Sequence, residues 1–151
     1  MIPIPEQIVT RREELGLSEV DVAEACGMSI YEYGDVEAYD NELVQQVDLS
    51  HAKRLCRVLN LDFLTLVGAG KDTTDRQAED SNAGRMLRNE IFQQARLRLG
   101  LSVEHVADVV GYEPIAIESI ETDPNDIETR SVKLFLDLCQ VLQLDPRLVL
   151  E

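Results

Sequence analysis

The segment Arg12-Glu13-Glu14-Leu15-Gly16-Leu17-Ser18-Glu19-Val20-Asp21-Val22-Ala23-Glu24-Ala25-Cys26-Gly27 has a counterpart in Arg96-Leu97-Arg98-Leu99-Gly100-Leu101-Ser102-Val103-Glu104-His105-Val106-Ala107-Asp108-Val109-Val110-Gly111. Arg, Gly-Leu-Ser, Ala and Gly recur at the same places, and Glu37 returns as Glu121, always 84 positions on. The later stretch Leu55-Cys56-Arg57-Val58-Leu59-Asn60-Leu61-Asp62 returns as Leu138-Cys139-Gln140-Val141-Leu142-Gln143-Leu144-Asp145 at an offset of 83, so one residue was gained or lost in between. A chain that states one pattern twice contains two similar units. An unusual property shared by both copies is correspondingly less accidental.

The local chemistry within each copy is helical. Pro5 suits a first helical turn, with Glu6 near the positive end of the helix dipole. Gly16 ends that helix as a left-handed cap, and Ser18 starts the next, with Asp21 completing a capping box. Gly27 stops the second helix, and Ser29 caps a third that runs to about Ala38. A polar loop, Tyr39 to Asp48, leads to a fourth helix capped by Ser50, on which Ala52, Leu55, Cys56 and Leu59 form an apolar stripe. Leu61 to Val67 reads as a short fifth helix. In the second copy, Pro114 opens the third helix and Thr122-Asp123-Pro124-Asn125-Asp126 is a strong turn cluster. Strict alternation is scarce, which excludes a β-rich fold. The expectation is an all-α chain of two five-helix domains, residues 1–68 and 85–151, joined by a polar linker over residues 69–84.

The motif Arg-x-x-x-Gly-Leu-Ser-x-x-x-x-Ala-x-x-x-Gly, followed by Glu37 or Glu121, resembles the phage-repressor family of helix-turn-helix domains, the Cro and Xre or lambda-repressor-like type. The likeness covers nearly the full length of each unit. It implies that helices two and three of each unit form the helix-turn-helix, and that the third is the recognition helix, the one that enters the DNA major groove in this family. It also implies ion pairs between Arg12 and Glu37 and between Arg96 and Glu121, read here as structural ties of helix one to helix three rather than DNA contacts.

The charges depart from that family. A DNA-binding helix-turn-helix draws most of its affinity from Lys and Arg on phosphates. Between Ser18 and Ser50 there are nine acidic residues and no Lys or Arg; between Ser102 and Thr129 the count is eight to none. The outer face of the third helix carries Tyr31, Glu32 and Asp35 in the first copy and Glu113, Ile115 and Glu118 in the second. Basic residues fall elsewhere: Arg11, Lys53, Arg54 and Arg57 on helices one and four; Arg98, Arg130, Lys133 and Arg147 in the second copy; Lys71, Arg76, Arg85 and Arg88 in or beside the linker. Overall, 29 acidic residues against 14 basic give a net charge of −15, which repels polyanions and attracts basic partners.

Other chemistry finds little support. The three cysteines are an odd number, and Cys56 and Cys139 sit at equivalent positions in apolar stripes, as small core residues do. No Cys-x-x-Cys occurs, His51 and Cys56 have the wrong spacing for one helix face, and no Walker loop surrounds Gly68-Ala69-Gly70-Lys71, so no metal, cofactor or phosphate-transfer site is expected. No nucleophile and base stand at a useful spacing, so an enzyme is not expected. Met1-Ile2-Pro3-Ile4-Pro5 lacks the blocks of a secretion signal, and no apolar run reaches membrane-spanning length, so the cytoplasm is the expected compartment. The functional expectation is a non-catalytic regulatory protein that uses its acidic faces to bind a basic protein surface, to mimic DNA or to self-associate. The alternative is an Xre-type transcription regulator that reads two DNA half-sites.

Overall fold

The structure is a computed structural model and describes residues 2–69 and 86–150. The described residues are helical, with no β-strand among them. The chain divides into two compact units, Met1–Gly70 and Lys71–Glu151. The linker reading, with Lys71, Arg76 and Arg85, lies outside the described residues.

Unit 1 is α1 (Ile4–Glu14), α2 (Glu19–Cys26), α3 (Ile30–Ala38), α4 (Glu42–Gln45), α5 (Leu49–Leu59) and α6 (Phe63–Leu66). Unit 2 is α7 (Arg88–Arg98), α8 (Val103–Val110), α9 (Pro114–Thr122), a 3-10 turn (Asp126–Thr129), α10 (Val132–Val141) and α11 (Pro146–Val149). Three boundaries differ from the sequence expectation. The loop after α3 contains the extra helix α4, pinned by Leu43, which is fully buried. α5 starts earlier, because the Asp48 carboxylate caps it by accepting from His51 N at 2.9 Å; Ser50 lies inside the helix and donates to Asp48. The last helix of unit 1 is only Phe63–Leu66, capped by Asp62.

Each unit closes around its own core. In unit 1, α2 packs on α3 and α5, and α1 packs on α3 and α5. Ile8, Val22, Tyr33, Val36, Leu49, Leu55 and Leu59 are fully buried there. In unit 2, α8 packs on α9 and α10, α7 packs on α9 and α11, and Phe92, Ile120, Leu134, Phe135 and Val149 fill the centre. The apolar residues of the chain's short last helices, Leu64, Leu66 and Val149, are buried. Arg88 is not a linker-side charge. It is 8% exposed and binds the carbonyls of Pro124 (2.5 Å) and Leu150 (2.9 Å) and the Glu128 carboxylate (2.6 Å). It thereby ties α7 to the 3-10 turn and to the end of the chain.

Gly27 and Gly111 turn the chain between the second and third helices with φ of +75° and +79°. Alanine at Gly111 meets open space and loses only the left-handed conformation, about 1 kcal/mol. At Gly27 a Cβ would come within 2.9 Å of Arg54 Nη1, which donates to Cys26 O. Gly27→Ala is therefore expected to cost about 1 kcal/mol more than Gly111→Ala, through the displaced hydrogen bond. Urea unfolding read by residue-resolved NMR checks this, and Arg54→Ala in the Gly27→Ala background should add little. Equal losses at both glycines would contradict the role given to Arg54.

Candidate functional site

The candidate faces are the outer surfaces of α2–α3 and α8–α9. Ser18 and Ser29 cap α2 and α3 with complete capping boxes: each hydroxyl accepts a backbone N–H at 3.0 Å, and Asp21 and Glu32 accept back from Ser18 N and Ser29 N. Helix N-termini are where a phosphate group finds ready donors. In unit 1 the chain's own carboxylates occupy those donors. The hydrogen bonds, backbone first, hold the Asp21 and Glu32 carboxyls below the usual carboxylate range. In unit 2, Ser102 caps α8, and α9 starts at Pro114 behind Glu113, which makes no side-chain cap.

Because those two carboxyls titrate lower in the folded chain than in the unfolded one, the stability they contribute is present above their unfolded pKa. It is lost as the pH falls through the folded value. Unit 1 is expected to lose its cap contribution below about pH 4. Asp21→Asn with Glu32→Gln, which removes the titrating groups, should flatten the acid limb of its thermal midpoint against pH. An unchanged acid limb in that variant would contradict the caps.

The third helix is pinned from behind. Arg12 Nε lies 2.7 Å from Glu37 Oε2, and Arg96 Nε lies 2.6 Å from Glu121 Oε2, each with a second hydrogen bond through Nη2. The remaining guanidinium nitrogen donates to Leu17 O or Leu101 O. All four side chains are mostly buried, so these arginines face inward and away from solvent ligands. The carboxylates, first through their hydrogen bonds, hold both guanidinium pKa values up.

On the outside, Tyr31, Glu32 and Asp35 of α3 are exposed, as are Glu113, Ile115 and Glu118 beside and on α9. Glu24 on α2 and Asp108 on α8 are equivalent positions, and both are exposed. Several other carboxylates have side-chain partners within their unit: Asp126 with Arg130 at 2.9 Å, Glu128 with Arg88, and Asp48 with the His51 ring at 2.7 Å. Other segments bring one cation near each inter-helix turn. In unit 1 it is Arg54, held on Cys26 O. In unit 2 it is Lys133 on α10, beside Tyr112 and ion-paired with Asp137 at 2.6 Å, the counterpart of Arg54. Sequence spacing alone did not reveal these two contacts, since both cations come from the helix after the loop. They leave Glu19, Glu24, Asp35 and Asp40, and Glu104, Asp108, Glu113 and Glu118, as exposed carboxylates on the two segments.

The three cysteines are reduced and buried. Burial pushes the Cys26 thiol up to about 11, the Cys56 thiol to about 12, and the Cys139 thiol up as well, so none is a thiolate near neutral pH. Among the described residues, no group of three or more His, Cys, Asp or Glu is placed to hold a metal ion, and no helix is long and apolar enough to cross a membrane. No protein-family model matches the chain, and no curated protein or solved structure shows significant similarity to it.

Proposed function

We propose that the chain is a non-catalytic regulatory protein built on two helix-turn-helix units of the Xre type, whose α2–α3 and α8–α9 faces receive a basic protein surface. One observation carries the reading: neither face contributes a Lys or Arg of its own, and the third helix of each presents carboxylate and apolar side chains to solvent. DNA binding through such faces would set carboxylates against phosphates. Salt screening acts over about 8 Å at physiological strength, so it does not relieve charges at contact distance. A basic protein, in contrast, gains both association rate and register from the same charges.

The second reading, a transcription regulator that binds DNA, draws on Arg54. A guanidinium at the α2–α3 turn could meet one phosphate. It offers one contact in unit 1; in unit 2 the equivalent residue is Asp137, which holds the nearby Lys133 in an ion pair, whereas helix-turn-helix binding draws on many.

Affinity capture with the full chain tests the first reading. A basic protein retained at low salt, released by high salt and not retained by a Glu24→Lys, Asp35→Lys, Asp108→Lys, Glu118→Lys variant is the expected result. Retention unaffected by salt and by that variant would refute the reading.

A further inference from the structure

Tyr31 is 83% exposed and Ile115 is 67% exposed, the two highest values among the large apolar side chains described. They occupy the same place in the repeat, 84 positions apart, each as the second residue of its third helix. Isolated exposed apolar residues are ordinary on a protein surface. Two independent copies of a fold placing their most exposed one at a single position is not ordinary, particularly as the residue types differ. A shared type could be inherited without use, whereas a tyrosine and an isoleucine share only bulk and apolarity.

The surroundings are also alike in sign. Asp35 lies one turn beyond Tyr31, and Glu118 one turn beyond Ile115, spacings that put each pair on the same side of its helix. Glu32 and Glu113 flank the anchors, and Glu24 and Asp108 stand on the neighbouring helices. Unit 2 also exposes Val109 (53%) and Tyr112 (40%), where unit 1 has Ala25 and Met28; in unit 1 the neighbouring exposed apolar residue is Ile30 (39%).

We infer that Tyr31 and Ile115 are the anchor residues of two equivalent docking faces, and that the partner is a protein segment offering an apolar recess bordered by Lys or Arg. The inference rests on the reading above and specifies its chemistry. A large side chain entering a recess, ringed by polar contacts that exclude water, is the arrangement in which a few residues carry most of an interface. The carboxylates select a basic border and reject both an acidic membrane surface and a nucleic acid. Tyrosine adds an aromatic face on which arginine can lie.

A random dodecapeptide library selected on the full chain tests it. The expected peptides combine at least two Lys or Arg with a large apolar residue. Tyr31→Ser with Ile115→Ser is expected to weaken the synthesised peptides about tenfold or more, at unchanged helical content by circular dichroism. The Glu24→Lys, Asp35→Lys, Asp108→Lys, Glu118→Lys variant should weaken them too, and more so at low salt. Basic peptides whose affinity ignores the Tyr31→Ser, Ile115→Ser change would overturn the anchors while leaving the acidic-face reading in place. Failure to select basic peptides would overturn both. Duplex DNA retained by the native chain and released by the same double change would overturn the inference in favour of a nucleic-acid ligand.

Discussion

Arg96→Met is expected to destabilise unit 2 by about 3–5 kcal/mol, because it strands the Glu121 carboxylate in a mostly buried position. The equivalent Arg12→Met is expected to cost only about 1–3 kcal/mol, and the reason is one side chain. Tyr33 of α3 is fully buried, and its hydroxyl lies near the Glu37 carboxylate and the Arg12 guanidinium without a hydrogen bond of good geometry to either. Burial, with Glu37 beside it, pushes the phenol pKa upward, so the hydroxyl stays a donor at any workable pH. Once Arg12 is gone, it can turn onto the Glu37 carboxylate. Unit 2 has Ile117 at that position, so no hydroxyl stands there to turn onto Glu121. Tyr33→Phe alone should be nearly neutral, since it removes an unpaired hydroxyl, but combined with Arg12→Met it should bring the loss up to that of Arg96→Met. Urea unfolding followed in each unit by NMR measures all four. Equal losses for Arg12→Met and Arg96→Met, with Tyr33→Phe additive, would refute the rescue.

The second large effect concerns charge on the outer faces. Glu24, Asp35, Asp108 and Glu118 are exposed and cap no helix, so Lys at all four should leave the fold intact. The change moves the net charge from −15 by eight units and puts four cations where the proposed scaffold would meet a duplex. Four new phosphate contacts predict sequence-independent DNA binding with a log–log salt slope of about −3.6, against no retention by the native chain. An electrophoretic shift of random duplex across salt concentrations reads this directly. Failure of the lysine variant to bind DNA would show that these faces are not the surface a helix-turn-helix offers. The charge argument would then lose its footing.

Much of the scaffold was legible because its signals are local. Ser18 with Asp21, the Ser29 cap, and Gly16 and Gly27 each act within one turn of chain, and the doubled pattern marked two units; that Glu32 closes a capping box with Ser29 was not read from the sequence. The misses have equally physical causes. α4 contains a single buried apolar residue, Leu43, and one residue has no period. At the start of α5, Asp48 and Ser50 are both good caps. The choice fell to Leu49, which is buried in phase with Ala52-Leu55-Cys56-Leu59 and extends that stripe one turn towards the N-terminus. Arg88 looked like a linker charge because its partners, Pro124, Glu128 and Leu150, are all more than thirty residues away. The acidic face itself could be read from composition. The placement of Arg54 and Lys133 beside it could not. The sequence did place Tyr31 and Ile115 on the outer face, but not that they are the two most exposed large apolar side chains described.

On the proposed function, both third-helix faces repel the double helix and attract a basic protein. Fluorescence anisotropy of a labelled pool of duplex fragments, titrated with the full native chain at about 50 mM salt, tests it most directly. No saturable binding to any fragment is expected under these conditions, which exaggerate electrostatic attraction. Tight retention of one sequence over the rest, weakening steeply as salt is raised, would contradict it.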